Sequence, residues 1–121
     1  MEHRGLVPYA KVKDVRRAVA FYQTLGFTIA NQHPENVADP IWVWLNAGKA
    51  NVMLHQTDEA IFASEQRFFF YLYVHDVAAF RELVVAAGIN AGPLTHPFYL
   101  PIGEFDVHDP DGYMIMIAQH D

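Results

Sequence analysis

The stretch Tyr9-Ala10-Lys11-Val12-Lys13-Asp14-Val15-Arg16-Arg17-Ala18-Val19-Ala20-Phe21-Tyr22-Gln23-Thr24-Leu25-Gly26 decides the fold, because much of it is written a second time from Tyr71 to Gly88. Val12-Lys13-Asp14-Val15 recurs as Val74-His75-Asp76-Val77, Tyr9 as Tyr71 and Gly26 as Gly88, all at an offset of 62 residues. That makes five identities in 18 positions, where about one is expected from ordinary residue frequencies. One structural unit is used twice.

Each copy opens with a strand, Leu6 to Val12 and then Phe68 to Val74, rich in aromatic and β-branched residues. A helix follows at once. Asp14 and Asp76 stand where an N-cap carboxylate accepts the first free helical N–H groups. Val15, Ala18, Val19 and Tyr22 form one apolar stripe at helical spacing, and Val77, Phe80, Leu83, Val84 and Ala87 form the other. Gly26 and Gly88 end the helices. Three strands are expected to complete each copy: Phe27 to Ala30, Ile41 to Leu45 and Asn51 to Gln56, then a short strand from Ile89, Gly103 to His108 and Tyr113 to Gln119. Asn46-Ala47-Gly48-Lys49 reads as a hairpin turn, and Asp109-Pro110-Asp111-Gly112 as a turn in which proline presets φ and glycine supplies a positive one. Asn31 to Pro40 and the proline-bearing Asn90 to Ile102 are the loops free to vary or to cover a site.

The fold class is therefore α+β: two tandem βαβββ modules, about 5–56 and about 67–121, within a single domain spanning 1–121. A sheet with one helix has one uncovered apolar face. Two such sheets are expected to curve into an eight-stranded half-barrel with a concave cleft.

Composition narrows the function. The chain has 121 residues, 52% apolar and 18% charged, with no cysteine, a globular profile that excludes thiolate chemistry, disulfides and iron–sulfur ligation. Its net charge of −6 has the wrong sign for a nucleic-acid partner. The longest apolar run, Phe68 to Val74, falls far below the roughly 18 residues that span a bilayer, and Met1 to Gly5 has no signal-like apolar core. The expectation is a cytoplasmic protein with no membrane partner.

The sequence resembles the vicinal oxygen chelate superfamily, which includes glyoxalase I, extradiol dioxygenases, fosfomycin resistance enzymes and bleomycin resistance proteins. The resemblance runs over essentially the whole chain. It is carried by Val12-Lys13-Asp14-Val15, by Ala18-Val19-Ala20-Phe21-Tyr22 leading to Leu25-Gly26-Phe27, and by Asp109-Pro110-Asp111-Gly112-Tyr113 before the last strand. It implies a divalent metal held by His and Glu from the first and fourth strands of each module. Counting from the motifs, those positions are Val7, Phe69 and Met116, and, 62 residues before Met116, Leu54. None of these side chains offers an anionic oxygen or an imidazole nitrogen, so the expectation is no metal and no cofactor. Of the histidines, His55 is expected to turn to the face opposite Leu54, while His75 and His108 stand at strand ends.

Alternation then names the lining of the cleft: Tyr9 and Lys11, Phe69, Tyr71, Tyr73 and His75, with Val52, Leu54, Met114 and Met116 and, beside them, Trp42 and Trp44 or their neighbour Val43. Aromatic and thioether groups suit a flat conjugated ligand. Glu104 and Asp106 share a strand face and, turned inward, would meet a cationic group. Each of these residues also has an ordinary structural reading as core or solvated surface. No nucleophile–base pair has catalytic spacing, so no catalytic residue is assigned. The resemblance to bleomycin resistance proteins implies a metal-free protein that binds a small molecule, an antibiotic among the candidates, and pairs as a homodimer. The alternative is a metal-dependent lyase or dioxygenase with a displaced ligand set such as His55 with His108 or Glu104.

Overall fold

Asp14 and Asp76 act where the capping chemistry places them. In the computed structural model, which describes residues 1–120, Asp14 Oδ1 accepts from the N–H groups of Arg16 and Arg17 at 3.0 and 3.4 Å, and Asp76 Oδ1 accepts from Ala79 at 3.0 Å. Both caps are backbone-extended and open ten-residue helices, α1 (Val15–Thr24) and α2 (Val77–Ala86). The chain divides into two compact units, Met1–Ile61 and the remainder from Phe62 onward, one for each copy of the repeat.

In the first unit β1 (Tyr9–Val12), β2 (Thr28–His33), β3 (Trp42–Ala47) and β4 (Ala50–Gln56) form a sheet in the order β1-β4-β3-β2, with β1 parallel to β4 and the other pairs antiparallel. Helix α1 buries Val15, Ala18, Val19 and Tyr22 on one face of that sheet, against Val12, Val43, Leu45 and Leu54. The β3–β4 turn is one residue later than the sequence suggests: Ala47 pairs with Ala50 across Gly48-Lys49, and only Gly48 has positive φ, as a two-residue turn with glycine first requires.

The second unit holds β5 (Phe70–Tyr73), β6 (Glu104–His108) and β7 (Met114–Ala118) in the order β5-β7-β6. Phe105, Val107, Ile115 and Ile117 make its buried face, and α2 adds Val77 and Val84. The expected α2 stripe is only partly used: Phe80 is half-buried, Ala87 is exposed, and Leu83 is 69% exposed. The strand expected from Ile89 does not form, and the described residues hold seven strands rather than eight. Residues 92–95 run beside β6 all the same, Gly92 N–H donating to Asp106 O and Thr95 N–H to Glu104 O, each at 2.9 Å. Pro93 stands between these two donors and has none of its own, so no ladder can propagate.

A glutamine at or just beyond the end of β4 and of β7 ties each sheet to its helix. Gln56 Oε1 accepts from Val15 N–H at 3.2 Å, and Gln119 Oε1 accepts from Val77 N–H at 2.9 Å. These glutamines stand 63 residues apart, not 62. The same offset appears in the registers, where Tyr9 pairs with Met53 and Tyr71 with Met116. The repeat thus gains one residue before its last strand, and the counterpart of Met116 is Met53. Leu54, expected on the face of Tyr9, pairs instead with Ala10 and Val43 and is 0% exposed beneath α1, with Val52 on the same side.

The asp-pro turn is built as its residues dictate. Asp109 is buried, and its Oδ1 accepts from the N–H groups of Asp111 and Tyr113, both at 2.9 Å. Gly112 sits at φ +90°, and a Cβ there would collide with that of Ala63.

Two stability measurements follow. Leu54→Ala should cost about 2–5 kcal/mol in urea denaturation, whereas Met53→Ala should cost about 1 kcal/mol or less, since a partly exposed site leaves little cavity; the reverse order would contradict the register. Asp14→Ala and Asp76→Ala should each cost about 1 kcal/mol, and a loss below the error of the measurement would mean that the caps are idle.

Candidate functional site

Paired residues in adjacent strands project to the same side, so the registers sort every sheet residue into a helix-covered face and an open one. The open face of the first unit carries Tyr9, Lys11, Trp42, Trp44, Met53 and His55. The open face of the second carries Tyr71, Tyr73, Glu104, Asp106, Met114 and Met116, with His108 at the strand end. Of the residues expected from sequence to line the cleft, Tyr9, Lys11, Trp42 and Trp44 share the open face of the first unit while Val52 and Leu54 turn to its helix side, and Tyr71, Tyr73, Glu104, Met114 and Met116 share the open face of the second. Phe69 precedes β5, and its ring lies 6.0 Å from that of Tyr71. Leu54 is excluded because the one-residue change of offset turns it into the core.

The same change brings in a residue that sequence reasoning placed on the far side. His55 stands on the open face beside Lys11 and Trp42, and its Nδ1 shares a short hydrogen bond with the Tyr9 hydroxyl. The Gln56–Gln119 spacing was the available signal: aligning those glutamines puts Met53, and therefore His55, on the face of Tyr9. Lys11 is held outward by Glu59 at 3.6 Å. Trp44 is fixed through Nε1, which donates to Asn51 Oδ1 at 2.9 Å, and Asn46 Nδ2 donates to the same oxygen at 3.0 Å.

In the second unit rings succeed one another along β5. Tyr71 and Tyr73 are stacked at 5.9 Å with 22° between planes, and the Tyr73 ring meets that of His120 edge-on at 4.6 Å. Glu104 faces this ladder but is buried, and it accepts a hydrogen bond from Tyr71 OH at 3.1 Å. Its carboxylate is committed to the protein. Asp106 is less buried and stands 3.7 Å from His108 Nδ1. Tyr71 ionises far above the ordinary tyrosine range because its hydroxyl is hydrogen-bonded to Tyr99, is desolvated and faces Glu104. Sequence alone gave no sign that Tyr99, in the loop after Thr95, would reach it. Burial and then the charges of Asp109 and Asp111 raise Tyr113 as well.

The positions that the family resemblance marks for metal ligands hold Val7, Phe69 and Met116, with Met53 now in place of Leu54. Thioether, aliphatic and phenyl groups do not fit a hard or borderline divalent ion. Among the described residues no three His, Cys, Asp or Glu side chains gather closely enough to hold a metal. The open faces offer stacking surface, deformable sulfur and a few fixed polar groups, which is the chemistry of holding an aromatic molecule. Tyrosine absorbance in alkaline titration should show late-ionising phenols, and Tyr71→Phe should remove one of them; an unchanged curve would contradict the Tyr99–Tyr71–Glu104 arrangement.

None of the curated proteins is similar enough to this chain to count as a match. Among solved structures, the bleomycin resistance determinant encoded on the transposon Tn5 superposes with a TM-score of 0.78 at 20% identity, covering 98% of this chain and 99% of that one. The bleomycin-binding protein from bleomycin-producing Streptomyces verticillus, solved with copper(II)-bleomycin, gives 0.72 at 21% identity, covering 100% and 99%. The fosfomycin resistance protein FosX from Listeria monocytogenes gives 0.78 at 12% identity, covering 100% and 96%. These likenesses establish the fold. No helix among the described residues is long and apolar enough to cross a membrane. The family profile matches residues 9–117, and the chain belongs to the Glyoxalase/Bleomycin resistance protein/Dioxygenase superfamily.

Proposed function

We propose that this protein binds a flat aromatic or conjugated small molecule of the antibiotic kind and sequesters it without chemical change, using no metal. The observation that carries this reading is the pair of helix-free sheet faces, each lined by aromatic rings and methionine. Tyr9 and Tyr73 are 51% and 53% exposed, although burying such rings is among the largest gains a small domain can make. Rings kept open on a rigid sheet are preorganised for a ligand's π surface. The likeness to a bleomycin-binding protein at full coverage supports the same class of ligand. Asp106 gives the ligand a place for a cationic group, while Glu104 positions Tyr71 rather than pairing with the ligand.

The reading includes a homodimer. Phe68 is 84% exposed, and Phe69 and Phe70 beside it are also exposed, on and before β5, which is an edge of its sheet. Edge strands with exposed apolar side chains are covered in stable proteins.

Bleomycin and the flat cation proflavine serve as probes. Each should quench the fluorescence of Trp42 and Trp44 saturably, and Trp42→Ala or Tyr71→Ala should weaken binding roughly tenfold, about 1.4 kcal/mol. Dialysis against a chelator should leave binding unchanged. Failure of both probes to bind, or loss of binding on chelation with recovery on adding Zn²⁺ or Mn²⁺, would overturn the metal-free reading. Sedimentation should show a dimer that Phe68→Lys dissociates; a wild-type monomer at high micromolar concentration would contradict the pairing.

A further inference from the structure

The helix covers its sheet incompletely in the first unit. Strands lie about 4.8 Å apart, so four of them span roughly 14 Å, whereas a helix with its side chains is about 10 Å across. Helix α1 packs on β3 and β4, and β2 lies outside them at the sheet edge. Ile29 on β2 pairs with Leu45 and so faces the helix side, yet it remains 39% exposed. The loop of residues 34–40 returns over this gap. Gln32 pins it, its Nε2 donating to the carbonyls of Pro34 and Val37, each at 3.0 Å, and the loop ends on the buried Pro40.

What remains beneath the loop is a cavity of about 160 Å³ with Val15, Val19, Ile29 and Pro40 in its wall. A cavity of about 150 Å³ is enough for benzene, so this one accepts a single six-membered ring. Arg16, Gln32 and Ala38 complete the lining. Asp14 caps the backbone N–H of Arg16, but the guanidinium belongs to neither of the ion pairs Lys11–Glu59 and Asp106–His108. A slot with one aliphatic wall, beside a guanidinium outside both ion pairs, suits a ring bearing a carboxylate, whose two oxygens match the planar fork. Glu35 and Asp39 lie exposed in the roofing loop. Their charge opposes any anionic group held beneath the loop, so the ligand's carboxylate is confined to the Arg16 side of the slot.

We propose that this cavity is a binding site for a small aromatic monocarboxylate, its ring against Val15, Val19, Ile29 and Pro40 and its carboxylate on Arg16. The site lies on the helix side of the sheet, opposite Tyr9 and Trp44, and does not rest on the function proposed above.

Benzoate, benzamide and benzylamine share one ring and differ in charge, so they serve as probes in amide NMR titrations of the full chain. Benzoate should shift the amides of Val15, Val19 and Ile29 in a saturable way and bind more tightly than benzamide, with benzylamine weakest. Arg16→Gln should reduce benzoate affinity about two- to fivefold, as for a solvent-accessible ion pair, and leave benzamide unchanged. Ala38→Trp, a change on an exposed loop, should fill the cavity and abolish benzoate binding while the rest of the spectrum stays in place. Absence of saturable shifts at these amides, equal binding of benzylamine, or full benzoate binding by Ala38→Trp would each overturn the proposal. Benzoate shifts confined to open-face residues such as Tyr9 and Tyr71 would do the same.

Discussion

One-sided burial is the constraint on which the rest of this protein depends. Each unit has a single helix, and a single helix can dry only one face of a small sheet. The covered face takes the aliphatic residues, with Val12, Val43, Leu45 and Leu54 in one unit and Phe105, Val107 and Ile117 in the other. The helix is locked in place at its start by a capping aspartate and by a glutamine from the last strand. With these connections made, no second α-helix among the described residues of either unit remains to cover the other face. Its aromatic and thioether residues are left available.

Much of this was legible in the sequence. The duplication, both caps, the α1 stripe and the Asp109 turn follow from local chemistry, because a carboxylate before a helix or a positive-φ glycine does the same thing in almost any context. What was not legible depended on spacing accumulated over distance. A one-residue lengthening of the second copy before its last strand escapes a search at a fixed offset, yet in a strand of period two it exchanges Leu54 for Met53 and brings His55 to the open side. The missing strand after Ile89 has a local cause in Pro93, but Thr95 still bridges to Glu104, so the chain follows the expected path without the regular ladder. The exposure of Leu83 shows the other limit: helical spacing identifies a stripe, while the sheet beneath decides how much of it is buried.

Of the acidic residues on the second open face, Glu104 illustrates how structure redistributes roles. Sequence pairs it with Asp106 as a second carboxylate for a cationic ligand. In the structure it is buried and accepts a bond from Tyr71, so it holds the central ring of the β5 ladder. Asp106 is left as the carboxylate with more access to solvent. On the first face the corresponding fixing is done by Asn51, which accepts from both Trp44 and Asn46. Each open face therefore has a polar anchor that holds an aromatic side chain in place.

The methionines offer the most direct test, since Met53, Met114 and Met116 stand on open faces and Met1 lies exposed at the terminus as an internal control. In ¹³C-methyl methionine NMR, addition of bleomycin should shift open-face methyls under the ring current of its aromatic group and leave Met1 still. Binding that leaves all three unmoved, or that perturbs the Leu54 methyls beneath α1 in their place, would contradict the assignment of the uncovered faces as the ligand platform.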